Sequence, residues 1–358
     1  MKKTSLKKIK FHRRQIVRVF WYEIKKKRQH QNEKNKALPS RIKRRRSVKY
    51  VNNPDKAKHE TFIAPSTFSL TKNPDDVIQY FLKAKQTFVE GSPGYFDLSE
   101  ITEMGPETLT YLCAIISDEE FLNDNAISGN LPNDPGLQTM FRNAGFYKFV
   151  TSRYDRRNYS SDVNGEIHKI TRELVEPEVA GKICESAMTH TFNGGNPKDQ
   201  SFYRILIECM ANTLNHANYG KREEKYNWWL LAYKESDTKI TKFCFLDLGV
   251  GIFGSLEKKY KKGILPEFFS WFKPKKNKGT LQKIFEGERK TSTQNLEGRG
   301  QGLQTIYWLV KRDPTICNFT LLSNDIKAQI GYNTADYIQN LNNNFIGTMY
   351  YWEITPLS

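Results

Sequence analysis

Long apolar runs are missing from this 358-residue chain. No stretch approaches the ~20 residues a membrane helix needs, and the N-terminus lacks the apolar core of a secretory signal. Cysteine is scarce: Cys113, Cys184, Cys209, Cys244 and Cys317 are odd in number, widely spaced and without a C-x-x-C pair. That pattern argues against a disulfide framework, a metal site or a redox pair, and reads as reduced core thiols. The G-x-x-x-x-G-K-[ST] sequence of a P-loop does not occur, and no internal repeat is evident. The expectation from these absences is a cytoplasmic protein without a transmembrane segment. Acid is almost absent from the first fifty residues, which hold Glu23 and Glu33 against twenty of the fifty-six Lys and Arg. Positions 51–358 then carry thirty-six basic and thirty-seven acidic residues, so a near-neutral globule bears a basic arm.

The arm has three basic clusters and one apolar interruption, Ile16–Tyr22, which suits a short amphipathic helix. Lys and Arg interleaved with Phe11, Phe20, Trp21 and Tyr22 fit the phosphates and bases of DNA or RNA. An anionic membrane surface and a solubilising tail fit the same composition. Pro39, Pro54 and Pro65 punctuate a linker, so residues 1–66 are expected as arm and linker.

Residues 67–150 alternate strand and helix signals: a strand at Tyr95–Leu98, a helix at Glu107–Ile116, a strand at Ala126–Gly129 and a helix at Leu137–Asn143. This is the pattern of a small α/β unit. Beyond it, a helix is expected over Ile167–Thr189, broken by Asn193–Pro197, and another over Phe202–His216. Strands follow at Trp228–Lys234 and Ile240–Asp247, then a Lys-, Gly- and Thr-rich stretch at 253–297. A helix from about Gln301 to Lys311 and strands at Cys317–Ser323, Lys327–Tyr332 and Thr348–Ile354 close the chain.

Three elements carry chemistry. Glu208, Asn212 and His216 recur every four residues and share one helix face; alone, such a stripe reads as a solvated surface. Asp247-Leu248-Gly249-Val250-Gly251 ends a strand, where a carboxylate can accept from an exocyclic amine and glycines let the backbone approach a planar ring. The same glycines fit a dinucleotide fingerprint, G-x-G-x-x-G, through Gly254. That motif requires a parallel βαβ unit and a long helix, whereas the strand here pairs most simply as a hairpin with its predecessor. Gly298-Arg299-Gly300-Gln301-Gly302-Leu303 precedes a helix, and free N–H groups at such a start form an anion site, or else a flexible glycine turn.

In that order, the three elements resemble the GHKL superfamily of gyrase, heat-shock chaperone, histidine kinase and mismatch-repair ATPases. The spacing of Glu208, Asn212 and His216 is most similar to the anti-sigma-factor serine kinases. The resemblance covers about residues 165–355. It implies an α/β fold in which helices cover a two-layer, Bergerat-type, mixed and mostly antiparallel sheet. It also implies ATP and Mg²⁺ as cofactors, with Asn212 as metal ligand and Glu208 orienting or deprotonating the attacking water or hydroxyl. Asp247 would read the adenine amine beside Gly249 and Gly251. Gly298, Arg299, Gly300, Gln301, Gly302 and Leu303 would form the phosphate loop, and 253–297 the ATP lid.

Upstream, Phe96–Thr102 with Gly105-Pro106-Glu107 resembles a STAS domain. Where such domains carry an acceptor Ser this chain reads Met104-Gly105-Pro106-Glu107-Thr108, so the acceptor is absent or replaced by Thr108, and an unrelated small α/β domain fits as well. The expected domains are therefore 67–150, STAS-like, and 151–358, GHKL. The expected activity is a regulatory one. Mg-ATP is hydrolysed, or its phosphate passes to a partner Ser/Thr, with nucleotide-driven lid and domain switching. The alternative is a non-catalytic ATP-binding adapter acting on DNA or RNA through residues 1–50. A protein partner meeting the STAS-like domain and a second copy of the chain complete the expected partners.

Overall fold

A computed structural model describes residues 59–123, 125, 127–150, 167–171, 175–194, 201–216, 227–235, 237–261, 263, 276–286 and 302–357. The basic arm, Gly298–Gln301 of the glycine loop and most of the expected lid lie outside the described residues.

The first part is β1 (Glu60–Ile63), β2 (Thr67–Phe68), α1 (Pro74–Val89), β3 (Gly94–Asp97), β4 (Glu103–Met104), α2 (Pro106–Ile116), α3 (Glu119–Leu122), β5 (Ile127–Gly129) and α4 (Pro135–Asn143). β1, β3 and β5 form a parallel three-stranded sheet in that order, and β2 pairs with β4. Two features differ from expectation. β1 falls inside the stretch expected as linker, and α1 forms where no helix is expected. Its start carries the ordinary signals: Pro74 in the first turn, where a missing N–H costs nothing, and Asp75 and Asp76 at the positive end of the dipole.

The second part is β6 (His168–Thr171), α5 (Pro177–Phe192), α6 (Ser201–His216), β7 (Asn227–Lys234), β8 (Thr241–Asp247), α7 (Gly251–Lys261), α8 (Asn277–Glu286), α9 (Gly302–Arg312), β9 (Ile316–Ile330) and β10 (Tyr337–Ile354). The strands form one sheet, β6-β7-β8-β10-β9, in which every described pairing is antiparallel. Parallel pairing is confined to the small sheets, so the α/β class holds. The helix expected from Ile167 begins only at Pro177, because His168–Thr171 pairs with β7 instead. The last three expected strands are two long ones. β9 and β10 run through register shifts at Asn324 and between Phe345 and Thr348, where the sequence pattern suggested ends.

Alternation along β7 and β8 sorts side chains to two cores. Trp228, Leu230, Phe243 and Phe245 meet Tyr350 and Trp352 under α5, α6, α8 and α9, and the Phe243 and Trp352 rings stack at 4.9 Å. Trp229, Leu231, Cys244 and Leu246 face the opposite way and share a core with α1 and α2. Burial of both faces explains why these strands read as continuous apolar runs. The two expected domains therefore pack through a common core. Tyr111 of α2 lies 4.7 Å from the Phe345 ring, and Asp75 accepts the Asn342 N–H at 2.7 Å. All five cysteines are free and four are buried. No helix among the described residues is long and apolar enough to cross a membrane.

Candidate functional site

α6 is the spine of the site. Its apolar stripe, Phe202, Ile205, Leu206, Cys209 and Met210, sits in the core and fixes the helix's rotation. Glu208 and Asn212 are thereby held half-buried against the first residue of α9 rather than in solvent. A Cβ on Gly302 would fall 2.7 Å from Asn212 Oδ1 and 3.0 Å from Glu208 Oε2. Only glycine lets the start of α9 come this close to both polar groups. Leu303, next along, is buried in the core and anchors that helix.

One residue beyond Asn212, Thr213 reaches the end of β8. Its hydroxyl lies 3.3 Å from Asp247 Oδ2, while Asp247 Oδ1 accepts the Gly249 N–H at 2.8 Å. Asp247 is 5% exposed. Burial pushes its carboxyl from the usual 3.8 up to about 6, with the Gly249 and Thr213 hydrogen bonds opposing the rise. Burial also raises Glu208, with nearby Arg204 acting in the opposite direction. Gly249 is partly exposed, and Gly251 is buried at φ 76°, a backbone that favours glycine. Glu208, Asn212 and Gly302 thus meet at one point, Asp247 and Gly249 meet at a second joined to it through Thr213, and Gly251 lies against Asn324. His216 ends α6, and its side chain lies outside the described atoms.

Four partners were not legible in the sequence. Thr213 is one. Tyr350 accepts a hydrogen bond from Asn212 Nδ2 at 3.4 Å, which leaves Asn212 Oδ1 turned towards Gly302. Gly347, at φ 96°, brings β10 so near β8 that a Cβ would lie 1.8 Å from the Asp247 carbonyl oxygen. Asn324 of β9 caps α7, accepting the Phe253 N–H at 3.1 Å. The signals lay in chain order too distant to read, 34 residues between Thr213 and Asp247 and 138 between Asn212 and Tyr350.

The dinucleotide fingerprint does open a helix, α7, which stops at Lys261, before Lys262-Gly263. Two observations still separate it from a dinucleotide site. β8 pairs antiparallel on both sides. The first N–H groups of α7, from Ile252, Phe253 and Gly254, are already accepted by Ser323 and Asn324. An anion there would have to displace these side chains from the Ile252, Phe253 and Gly254 N–H groups.

In the segment expected to be STAS-like, Thr102 is exposed and Ser99 part-buried. Thr108 is fully buried and accepts the Leu70 N–H at 2.8 Å. Ser99 donates to Asp97 Oδ1 at 2.7 Å. Glu107, 1% exposed, takes the Ser69 hydroxyl at 2.9 Å, and burial raises its carboxyl. Ser69 and Glu107 border a cleft of about 650 Å³ between this segment and the sheet, whose lining includes neither Asp247 nor Gly302.

No cluster of three or more His, Cys, Asp or Glu side chains placed to hold a metal occurs among the described residues. A cation at Asn212 would therefore depend on ligand oxygens and water for the rest of its shell, the usual situation for Mg²⁺. No protein-family model matches the sequence, and no curated protein matches it.

Proposed function

We propose that the chain binds Mg-ATP at the convergence of α6, β8 and the start of α9, and turns it over. The observation that carries this reading is the contact of Gly302 with Asn212 and Glu208, on a helix whose next residue, Thr213, holds Asp247. One helix thereby links a carboxylate suited to an exocyclic amine with a helix start suited to phosphate.

In this reading Asp247 accepts the adenine amine. The Gly249–Gly251 backbone lines the base, and the α9 N-terminus faces the phosphates. Asn212 Oδ1, directed by Tyr350, would hold Mg²⁺, which when bound neutralises phosphate charge and orients the terminal group. Glu208, raised by burial, suits the proton of an attacking water or hydroxyl. A purely structural nucleotide site has no need of that carboxylate one turn from the metal ligand. This argues for turnover over the rival reading of a non-catalytic adapter.

Incubation with γ-labelled ATP, alone and with cell lysate, separates the outcomes. Released phosphate indicates hydrolysis, and label on a second protein indicates transfer to Ser or Thr. Glu208→Gln should abolish either while retaining ATP. Bound but unconverted ATP in the parent protein would favour the adapter.

A further inference from the structure

The mid-strand irregularity of β9 sets Ser323, Asn324 and Asp325 against two helices at once. Asn324 has φ 53°, a left-handed backbone that asparagine tolerates better than most side chains. Ser323 Oγ accepts the Ile252 N–H at 2.9 Å. Asn324 Oδ1 accepts those of Phe253 at 3.1 Å and Gly254 at 3.4 Å. Asn324 Nδ2 donates to the Val250 carbonyl at 3.1 Å. Asp325 Oδ1 accepts from Asn277 Nδ2, at the start of α8, at 2.6 Å. A Cβ on Gly251 would lie 2.3 Å from Asn324 Oδ1, so the fit is close.

This is a helix cap supplied from another strand, more than seventy residues away in sequence. The Asp247–Gly254 segment is consequently pinned twice. Asp247 holds Gly249 from within, and Asn324 holds Val250, Phe253 and Gly254 from across the sheet. The cap is also neutral. It consumes donors that would otherwise attract an anion to α7, and leaves the start of α9 as the place for phosphate.

We infer that Asn324 is a positioning residue of the nucleotide site, which fixes the base-lining turn and keeps phosphate away from α7. The inference rests on the adenine role proposed for Asp247. Its signature is a split between base and phosphate. Losing Asn324 should weaken adenine nucleotides without weakening a bare polyphosphate.

The test is titration of the full chain with ADP and with inorganic tripolyphosphate. It is paired with hydrogen exchange across residues 249–256. Asn324→Gly keeps the left-handed backbone and removes the cap. ADP affinity should fall about tenfold, the size of a lost cap. Tripolyphosphate affinity should hold or rise, and exchange at Ile252–Gly254 should quicken. Asn324→Asp retains the acceptor oxygen and should stay within about threefold of the parent for ADP. Should Asn324→Gly fold poorly, Ser323→Ala removes one bond of the same cap and should show the split at reduced size.

Parental ADP affinity in both Asn324→Gly and Ser323→Ala would overturn the inference. So would equal losses for ADP and tripolyphosphate that track a falling Tm, since that describes structural support only. A parent protein that binds tripolyphosphate but not ADP would overturn the adenine role, and this inference with it.

Discussion

At the scale of the residue, Asp247 concentrates the tension between folding and the proposed binding. Its folded value of about 6 lies above the usual 3.8, so the native state holds its proton to higher pH than the unfolded chain. Stability from this group is fullest below the unfolded value and falls as pH rises from about 4 through about 6. Near neutrality the protein carries the full cost of a buried, ionised carboxylate. Asp247→Asn removes that cost and keeps the local geometry. The amide oxygen accepts from Gly249, and the amide N–H donates to Thr213, which already contacts the Cys209 carbonyl at 3.2 Å. The variant should therefore gain on the order of 1–2 kcal/mol at pH 7, read by thermal melts, and the gain should vanish below about pH 4. ATP affinity should fall over the same variant, and parental affinity should weaken as pH drops through about 6. The nucleotide's own phosphate titrates nearby, so the parent's pH profile is read against that of Asp247→Asn. A melting point unchanged by Asp247→Asn between pH 4 and 7 would contradict the buried, ionised state.

Among the elements, the contact of α6 with α9 is the most sensitive to side-chain size. Gly302→Ala raises helix propensity by ~1 kcal/mol, yet its methyl overlaps Asn212 Oδ1. Asn212 must then swing away from Tyr350, so Mg²⁺-dependent ATP affinity should fall about tenfold while Mg²⁺-free binding persists. Equal affinity with and without Mg²⁺ in the parent would show that Asn212 holds no cation. Local signals made much of this scaffold readable. The alternating apolar residues of β7 and β8, the stripe of α6 and the glycine before α9 all mark their elements directly. What escaped was decided by distant partners. Ile170 and Thr171 become strand because β7 offers an edge, and Glu60–Ile63 because β3 does. β9 and β10 continue through irregularities because Asn324 and Gly347 take up left-handed backbone there. Glu208, Asn212, Asp247 and Gly302 were legible as residue types at characteristic spacings. Thr213, Tyr350, Asn324 and Gly347 were not, since their roles exist only once the sheet is assembled.

For the whole molecule, charge and the proposed nucleotide site occupy different parts of the chain. Residues 1–50 hold twenty basic and two acidic side chains, and the remainder is nearly neutral. Affinity for duplex DNA should reside in that arm. If it neutralises about six to ten phosphates, binding should fall by ~10³–10⁵ between 50 and 200 mM salt. A gel-shift salt series on the full chain and on a chain lacking residues 1–50 checks this; equal binding by the shortened chain would make the arm a solubilising tail. ATP binding should survive the truncation, because Glu208, Asn212, Asp247 and Gly302 all lie in the second part. The central claim is that these residues form one Mg-ATP site. Calorimetric titration of Mg-ATP into the parent protein and into Asp247→Asn tests it most directly. The account predicts saturable binding by the parent and a roughly tenfold or greater loss in the variant. Identical affinity in the two proteins, or no heat of binding in the parent, would contradict it.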